Sequence, residues 1–193
     1  MRWQDWSFRT KLGVSFGSIL ALMAIIGTIV YIGIGTVEDT GETAMVATEL
    51  ETMMAHREID HLQWVQKVNA FLMASGGRLE VETDHSQCRL GQWLNSPERT
   101  QVEERFPELA TLFDRLDAPH RAIHKSAIDI KSQAAADGGD KAGATAIFRQ
   151  HTIPSLAQVS GIFHDIEAKA ADTAAVARKN QAQTAETIHH TAT

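Results

Sequence analysis

The stretch from Leu12 to Gly35, LGVSFGSILALMAIIGTIVYIGIG, runs for 24 residues without a charged side chain. As a helix it is about 36 Å long, enough to cross a hydrocarbon core of ~30 Å with some tilt. A cleaved secretory signal is the rival reading. Its apolar part is usually about 7–15 residues and ends at a small-residue cleavage site. This run is longer, and only Gly33-Ile34-Gly35 weakly resembles such a site. The length therefore favours a retained membrane helix over residues 12–36, preceded by a short N-terminus at 1–11.

The flanking charges give that helix an orientation. Arg2, Arg9 and Lys11 precede it, and no Lys or Arg follows until Arg57, whereas Glu38, Asp39, Glu42, Glu49 and Glu51 do. The positive-inside rule then keeps the N-terminus in the cytoplasm and exports everything beyond residue 36. Trp3, Trp6 and Tyr31 fall where amphipathic rings meet the two interfaces. Gly13, Gly17 and Ala21 form a ladder of small residues that would let two copies pack closely, although small residues are common in membrane helices for other reasons.

The exported part carries helical periodicity. Leu50, Met53, Met54, His61, Trp64, Val65, Val68 and Leu72 recur at steps of three and four, and Ser75-Gly76-Gly77 ends the stripe. A short helix carrying Cys88 and Trp93 follows, with Ser86 placed to cap it, and Asn95-Ser96-Pro97-Glu98 marks a break and a new start. A second stripe runs from Leu109 through Leu112, Phe113, Leu116, His120, Ile123, His124, Ala127 and Ile128. Pro119 inside it is expected to kink or restart the helix. Asp137-Gly138-Gly139-Asp140 is a turn. The last stripe, Ile147, Leu156, Val159, Ile162, Phe163 and Ile166, is interrupted near Pro154 and fades into a polar, alanine-rich tail at 171–193. No period-two strand pattern occurs. The expected fold class is all-α: an N-terminal transmembrane helix, then an up-and-down four-helix bundle at 38–170.

Composition narrows the function classes. With 18 basic and 24 acidic residues the net charge is −6, and no basic block or aromatic–basic interleaving occurs, which argues against nucleic acid as a partner. There is one cysteine, so no disulfide forms within the chain. Nine histidines are present. His189 and His190 lie in the polar tail, and His56, His151 and His164 have no partner at metal-ligand spacing. His85, three residues before Cys88, is a fallback ligand or a group that orients one, and Asp84 beside it invites the same reading; a polar loop explains both equally well.

His61, His120 and His124 differ because each falls within an apolar stripe, where an imidazole must find a hydrogen bond or a metal. A lone histidine there is most often a satisfied core residue. Three of them, with the one cysteine, shift that balance. His120 and His124 are four apart, so both project from one helix face. Imidazole and thiolate suit tetrahedral zinc, and one Cys with three His would fill four positions. Spacing alone leaves metal binding and polar infill both open.

The segments HLQW (His61–Trp64), CRLGQWL (Cys88–Leu94) and PHRAIH (Pro119–His124), in that order, resemble the chemoreceptor zinc-binding (CZB) domain, whose pattern is His-x-x-Trp, Cys-x-Leu/Phe-Gly-x-Trp and His-x-x-x-His. The resemblance covers roughly residues 50–170. It implies a four-helix bundle holding Zn2+ through His61, Cys88, His120 and His124, with Trp64 and Trp93 packed beside the site. It also implies a sensory role in a bacterial chemotaxis receptor or related signalling protein, where zinc occupancy or cysteine oxidation alters output. The WSFRTKLG start followed by a membrane helix resembles the beginning of a methyl-accepting receptor in the inner membrane, with a periplasmic sensory domain and a homodimeric state. Such receptors continue into a second membrane helix, a HAMP linker and a signalling coiled coil; none of these occurs before Thr193, so output is expected to pass through a further signalling domain or a separate protein. A small-molecule sensory bundle with a purely structural zinc is the alternative. Enzymatic activity is not expected, since four protein ligands leave zinc no open position.

Overall fold

The structure, a computed structural model, describes residues 6–138 and 140–192, apart from the side chains of residues 36, 37 and 188–192. Arg2, Trp3, Gly139 and the side chains of His189 and His190, on which expectations were placed above, lie outside the described residues. The described chain is all-helical, without a strand. Six α-helices follow one another: α1 (Phe8–Met73), α2 (Arg89–Leu94), α3 (Pro97–Arg105), α4 (Ala110–Ala136), α5 (Ala142–Ile147) and α6 (Ile153–Ala192). A 3-10 turn, Pro107–Leu109, leads into α4, and a π-helical turn, Phe148–Thr152, joins α5 to α6.

The chain forms two compact units, one of Met1–Ala44 with Ala175–Thr193 and one of Met45–Ala174. The first contains the apolar run. Among the described residues α1 is the one helix long and apolar enough to cross a membrane, and its most apolar 18-residue window, of mean hydropathy 2.2, buries none of its residues within the chain. In the same unit Gly41 faces Gln181, whose Nε2 would lie 3.3 Å from a Cβ at that position.

The second unit has a continuous core. Leu50, Met54 and Val68 of α1, Phe113, Leu116, Ile123 and Ile130 of α4, and Val159, Phe163 and Ile166 of α6 are all buried in one cluster with Leu90 of α2. The 3.6-residue stripes are what make these helices amphipathic, and burying the stripes against each other is what stabilises them. His61, His120 and His124 stand in the same stripes and are buried with them, which holds the imidazoles inside the unit.

Of two prolines expected to disturb a helix, Pro154 follows an interruption and Pro119 leaves its helix unbroken. Pro119 neither ends nor restarts α4, which is helical on both sides of it. Its ring removes one backbone hydrogen bond, but Leu116, Pro119, His120 and Ile123 are all buried, and this packing holds the helix through the lost bond. Pro154 lies at the second position of α6, directly after the π turn. A proline ring clashes with the carbonyl four residues earlier, here Gln150, and widening that turn to π geometry relieves the clash. Ser126 on α4 and Thr152 in the π turn, both buried, share a 2.7 Å hydrogen bond, and the Ser126 hydroxyl also lies 2.6 Å from the Ile123 carbonyl.

The end of α1 is held from 70 residues away. Gly77 takes the left-handed conformation expected of it, with φ +96°. In addition, Lys141 Nζ donates to the carbonyls of Phe71 (2.6 Å) and Ala74 (2.8 Å) and sits 4.0 Å from the centre of the Phe71 ring. These are carbonyls that a helix end leaves without partners, and a cation there also meets the negative end of the helix dipole. Lys141→Met keeps much of the stem and removes the charge; it is expected to cost about 1.5–3 kcal/mol, in the range for hydrogen bonds to a charged group, read as a shift in the urea midpoint of the whole chain.

Candidate metal centre

Each donor is positioned by its own element. His61 projects from α1, His120 and His124 from α4, and Cys88 stands as the residue capping the N-terminus of α2. Ser86 was expected to be that cap. Instead its backbone N–H and its hydroxyl both bond Asp84 Oδ1, at 2.9 and 2.7 Å, closing an Asx-type turn just before the helix. This moves the cap two residues on, to Cys88, and the Gly91 amide donates to Cys88 Sγ at 3.3 Å. Asp84 is held in that turn, and its hydrogen bonds to Ser86 lower its pKa, with smaller contributions from His85 and His124.

The Cys88 position is fixed by Gly91. A Cβ on Gly91 would lie 1.8 Å from the His85 carbonyl oxygen, so the loop before α2 passes where any side chain would stand. That contact is the physical reason for glycine three residues after the cysteine. The Cys88 thiol in turn lies 3.4 Å from the same carbonyl.

One ligand atom each from His61, Cys88, His120 and His124 lies within 4.8 Å of all the others. Cys88 Sγ is 3.1 Å from His120 Nε2. The ring centres of His120 and His124 are 4.9 Å apart, and that of His61 lies 5.0 Å from His120 and 5.9 Å from His124. All three imidazoles are buried, His120 completely, and Cys88 is half-buried.

The hydrogen bonds define which nitrogens face inward. His61 Nδ1 donates to the Arg57 carbonyl at 2.7 Å, and His124 Nδ1 donates to the Glu82 carbonyl at 3.0 Å. With the proton on Nδ1, each Nε2 carries a lone pair, and both Nε2 atoms are buried with no hydrogen-bond partner. Buried acceptors pointing at one another are costly unless a cation sits between them. A tetrahedron of three ~2.0 Å Zn–N bonds and one ~2.3 Å Zn–S bond has edges of roughly 3.3–3.6 Å. Cys88 Sγ and His120 Nε2, at 3.1 Å, already stand at about that separation, and no two of the four ligand atoms are more than 4.8 Å apart. The donor set of three neutral imidazoles and one thiol thus fits zinc, with His61, Cys88, His120 and His124 as the residues that would hold it.

Two supports escaped the sequence reading. Trp64 is more than packing: its indole Nε1–H donates at 2.8 Å to the Glu82 carbonyl, the same oxygen that receives His124 Nδ1. One loop carbonyl thereby ties α1 and a donor on α4 to the segment leading to Cys88. Such outer hydrogen bonds fix the tautomer and orientation of a metal-binding imidazole. The second is the Arg57 carbonyl behind His61. Trp93 packs edge-to-face on Phe113, ring centres 5.1 Å apart, and acts as packing alone. The other described histidines stay outside the cluster; His164, for example, pairs with Glu58 at 3.3 Å.

Burial sets the electrostatics. It pushes His120 down to about 3 and His124 down to about 4, helped for both by neighbouring imidazoles, and it lowers His61 as well. Burial raises the Cys88 thiol above its ordinary value, against the pull of the Gly91 and Leu90 amides. The imidazoles therefore stay neutral, which is the state that binds metal, while a bound divalent cation would supply what is needed to ionise the thiol. In the metal-free chain the unfolded histidines titrate near 6.5. The folded chain resists protons that the unfolded chain accepts between that value and about 3–4, so this contribution is complete above pH 6.5 and is lost as the pH falls toward 3. Chelator-treated protein is expected to melt at a lower temperature at pH 5 than at pH 8. A melting temperature unchanged over that interval would contradict neutral burial.

Residues 61–131 match the family described as the chemoreceptor zinc-binding domain, CZB, and the matched segment contains all four donors. No curated protein and no solved structure matches the chain.

Proposed function

We propose that the chain is the membrane-anchored, zinc-binding sensory part of a bacterial chemotaxis or related signalling receptor, sensing zinc availability, oxidation of Cys88, or both. The observation that carries the zinc reading is the convergence of three buried imidazole nitrogens and one sulfur, with two of the imidazoles locked by carbonyls into the tautomer that points a lone pair inward. Four protein donors leave no position for a reacting water, which favours a sensor over a hydrolase.

The four donors come from α1, α4 and the loop before α2. Binding would cross-tie these elements and favour one packing of the unit; release permits another. The thiol offers a second input. It borders an open groove of about 610 Å3 lined by Asp60, Lys67 and Arg89 among others, so small solutes reach it. A peroxide would transfer one oxygen to the thiolate sulfur, which gives up two electrons, leaving a sulfenic acid and hydroxide. The apolar run on α1 and its flanking charges support the anchor, with the sensory part on the periplasmic side, and the glycine ladder supports a homodimer.

The single cysteine makes location and response directly testable. With zinc chelated, a membrane-impermeant thiol reagent is expected to label Cys88 from the periplasmic face of intact inner membranes; labelling only after the membranes are opened from the cytoplasmic side would sink the exported orientation. Amide exchange of residues 79–87 is expected to slow on zinc addition and to recover after peroxide. Zinc that binds without changing exchange anywhere would favour a purely structural ion.

A further inference from the structure

We propose that His85 is a fifth, exchangeable donor: when Cys88 is withdrawn from the metal, the His85 imidazole swings in and keeps the ion four-coordinate. This inference rests on the zinc reading of the same site.

Three observations carry it. The first is distance. The His85 ring centre lies 6.0 Å from that of His120, almost the same as the 5.9 Å between His61 and His124, which are both donors. The second is the contrast between a fixed backbone and an untied ring. The His85 carbonyl is pressed against Gly91 and lies 3.4 Å from the Cys88 thiol. Its ring has no hydrogen bond among the described residues, its nearest charged neighbour being Asp84 Oδ1 at 3.9 Å, and a third of the side chain is exposed. Rotation about the side-chain bonds therefore breaks no hydrogen bond of the ring and gives up only its edge contact with His120 and its loose approach to Asp84.

The third observation is room. A cleft of about 310 Å3 lies between His85 and His120, bordered also by Gly91, Asn95 and Asp117. His120, whose Nδ1 is buried with no hydrogen-bond partner, is the one imidazole of the cluster not anchored from behind. The part of the site facing His85 is thus its least constrained part.

The consequence for sensing is specific. Exchange of a thiolate for a neutral imidazole keeps the metal and raises the net charge at the site by one. Cys88 and His85 are three residues apart on one loop, so the exchange reshapes the entry to α2 without emptying the site. Loss of the cysteine would then be signalled by the loop rather than by released zinc.

The test uses cobalt as the probe, bound to the full chain in detergent, because its absorption reports both sulfur ligation and tetrahedral geometry. Wild type, Cys88→Ala, His85→Ala and the double variant are titrated in parallel, with far-UV circular dichroism to verify folding. His85→Ala is expected to match wild type. Cys88→Ala is expected to lose the sulfur-to-cobalt band, keep tetrahedral d–d intensity and bind about 10–100-fold more weakly, and the double variant to lose a further tenfold or more together with the tetrahedral intensity. If Cys88→Ala disturbs the loop, Cys88→Ser retains a capping oxygen and permits the same comparison. Equal affinity and spectra for the Cys88 variant with and without His85 would overturn the exchange while leaving the four-donor site intact. Weakened binding in His85→Ala alone would also overturn it, by making His85 part of the resident site. A wild-type chain that binds no cobalt would overturn the zinc reading itself.

Discussion

Gly91→Ala is expected to destabilise the chain by about 3 kcal/mol, the upper end of the usual cost of overpacking, because backbone is forced apart. The added methyl would meet the His85 carbonyl at 1.8 Å, with the His85 carbonyl carbon and Ser86 Cα also within 2.8 Å. All three are backbone atoms, so no side-chain rotation relieves the overlap. Either α2 or the loop at 84–87 must move, and both position Cys88. Loss of stability is therefore expected together with weaker zinc binding, measured by thermal melts with and without zinc. A variant that melts like wild type would show that the loop and α2 are not held at this distance.

His124→Ala should reduce zinc affinity by more than the roughly 10–100-fold typical of losing an outer supporting residue, because it removes a donor itself. It also removes one of the two bonds to the Glu82 carbonyl, leaving Trp64 to hold the loop alone. Zinc that binds only the folded chain contributes about 4 kcal/mol at free zinc a thousandfold above its dissociation constant. For a chain of this size that corresponds to a rise in melting temperature of roughly 10 °C. Wild type is expected to show that rise on zinc addition and His124→Ala to show little of it. An equal rise in both would place the metal elsewhere.

Much of the site was legible in the chain itself because its chemistry lies in side chains with strong placement signals. His61, His120 and His124 stand at core positions of stripes whose other members, such as Val68, Leu116 and Ile123, are buried. A polar ring in such a stripe announces that it has a partner. The supports were not legible, because their acceptors are backbone atoms. Nothing about the glutamate at position 82 says that its carbonyl receives both an indole and an imidazole N–H. Lys141 capping α1 is a contact across 70 residues between segments with no shared pattern. Serine is a favoured capping residue, which points to Ser86 as the cap of α2; Asp84, two residues earlier, takes that serine into its own turn, a local competition that the Asp-x-Ser spacing carries. Pro119 does not restart α4, since a proline's local cost says little about the continuity of a helix buried along one face.

The central claim is that one ion is held by His61, Cys88, His120 and His124. The most direct measurement is the metal content of the full chain, purified in detergent without added metal and then after zinc is supplied, with the cobalt form checked for a sulfur-to-metal absorption band. One zinc per chain is expected, with a sulfur band that disappears in Cys88→Ala and zinc binding that collapses in His124→Ala. A chain that takes up no metal even when zinc is supplied, or whose cobalt form lacks the sulfur band, would contradict the account. Cys88 would then be a core thiol and the three histidines polar infill.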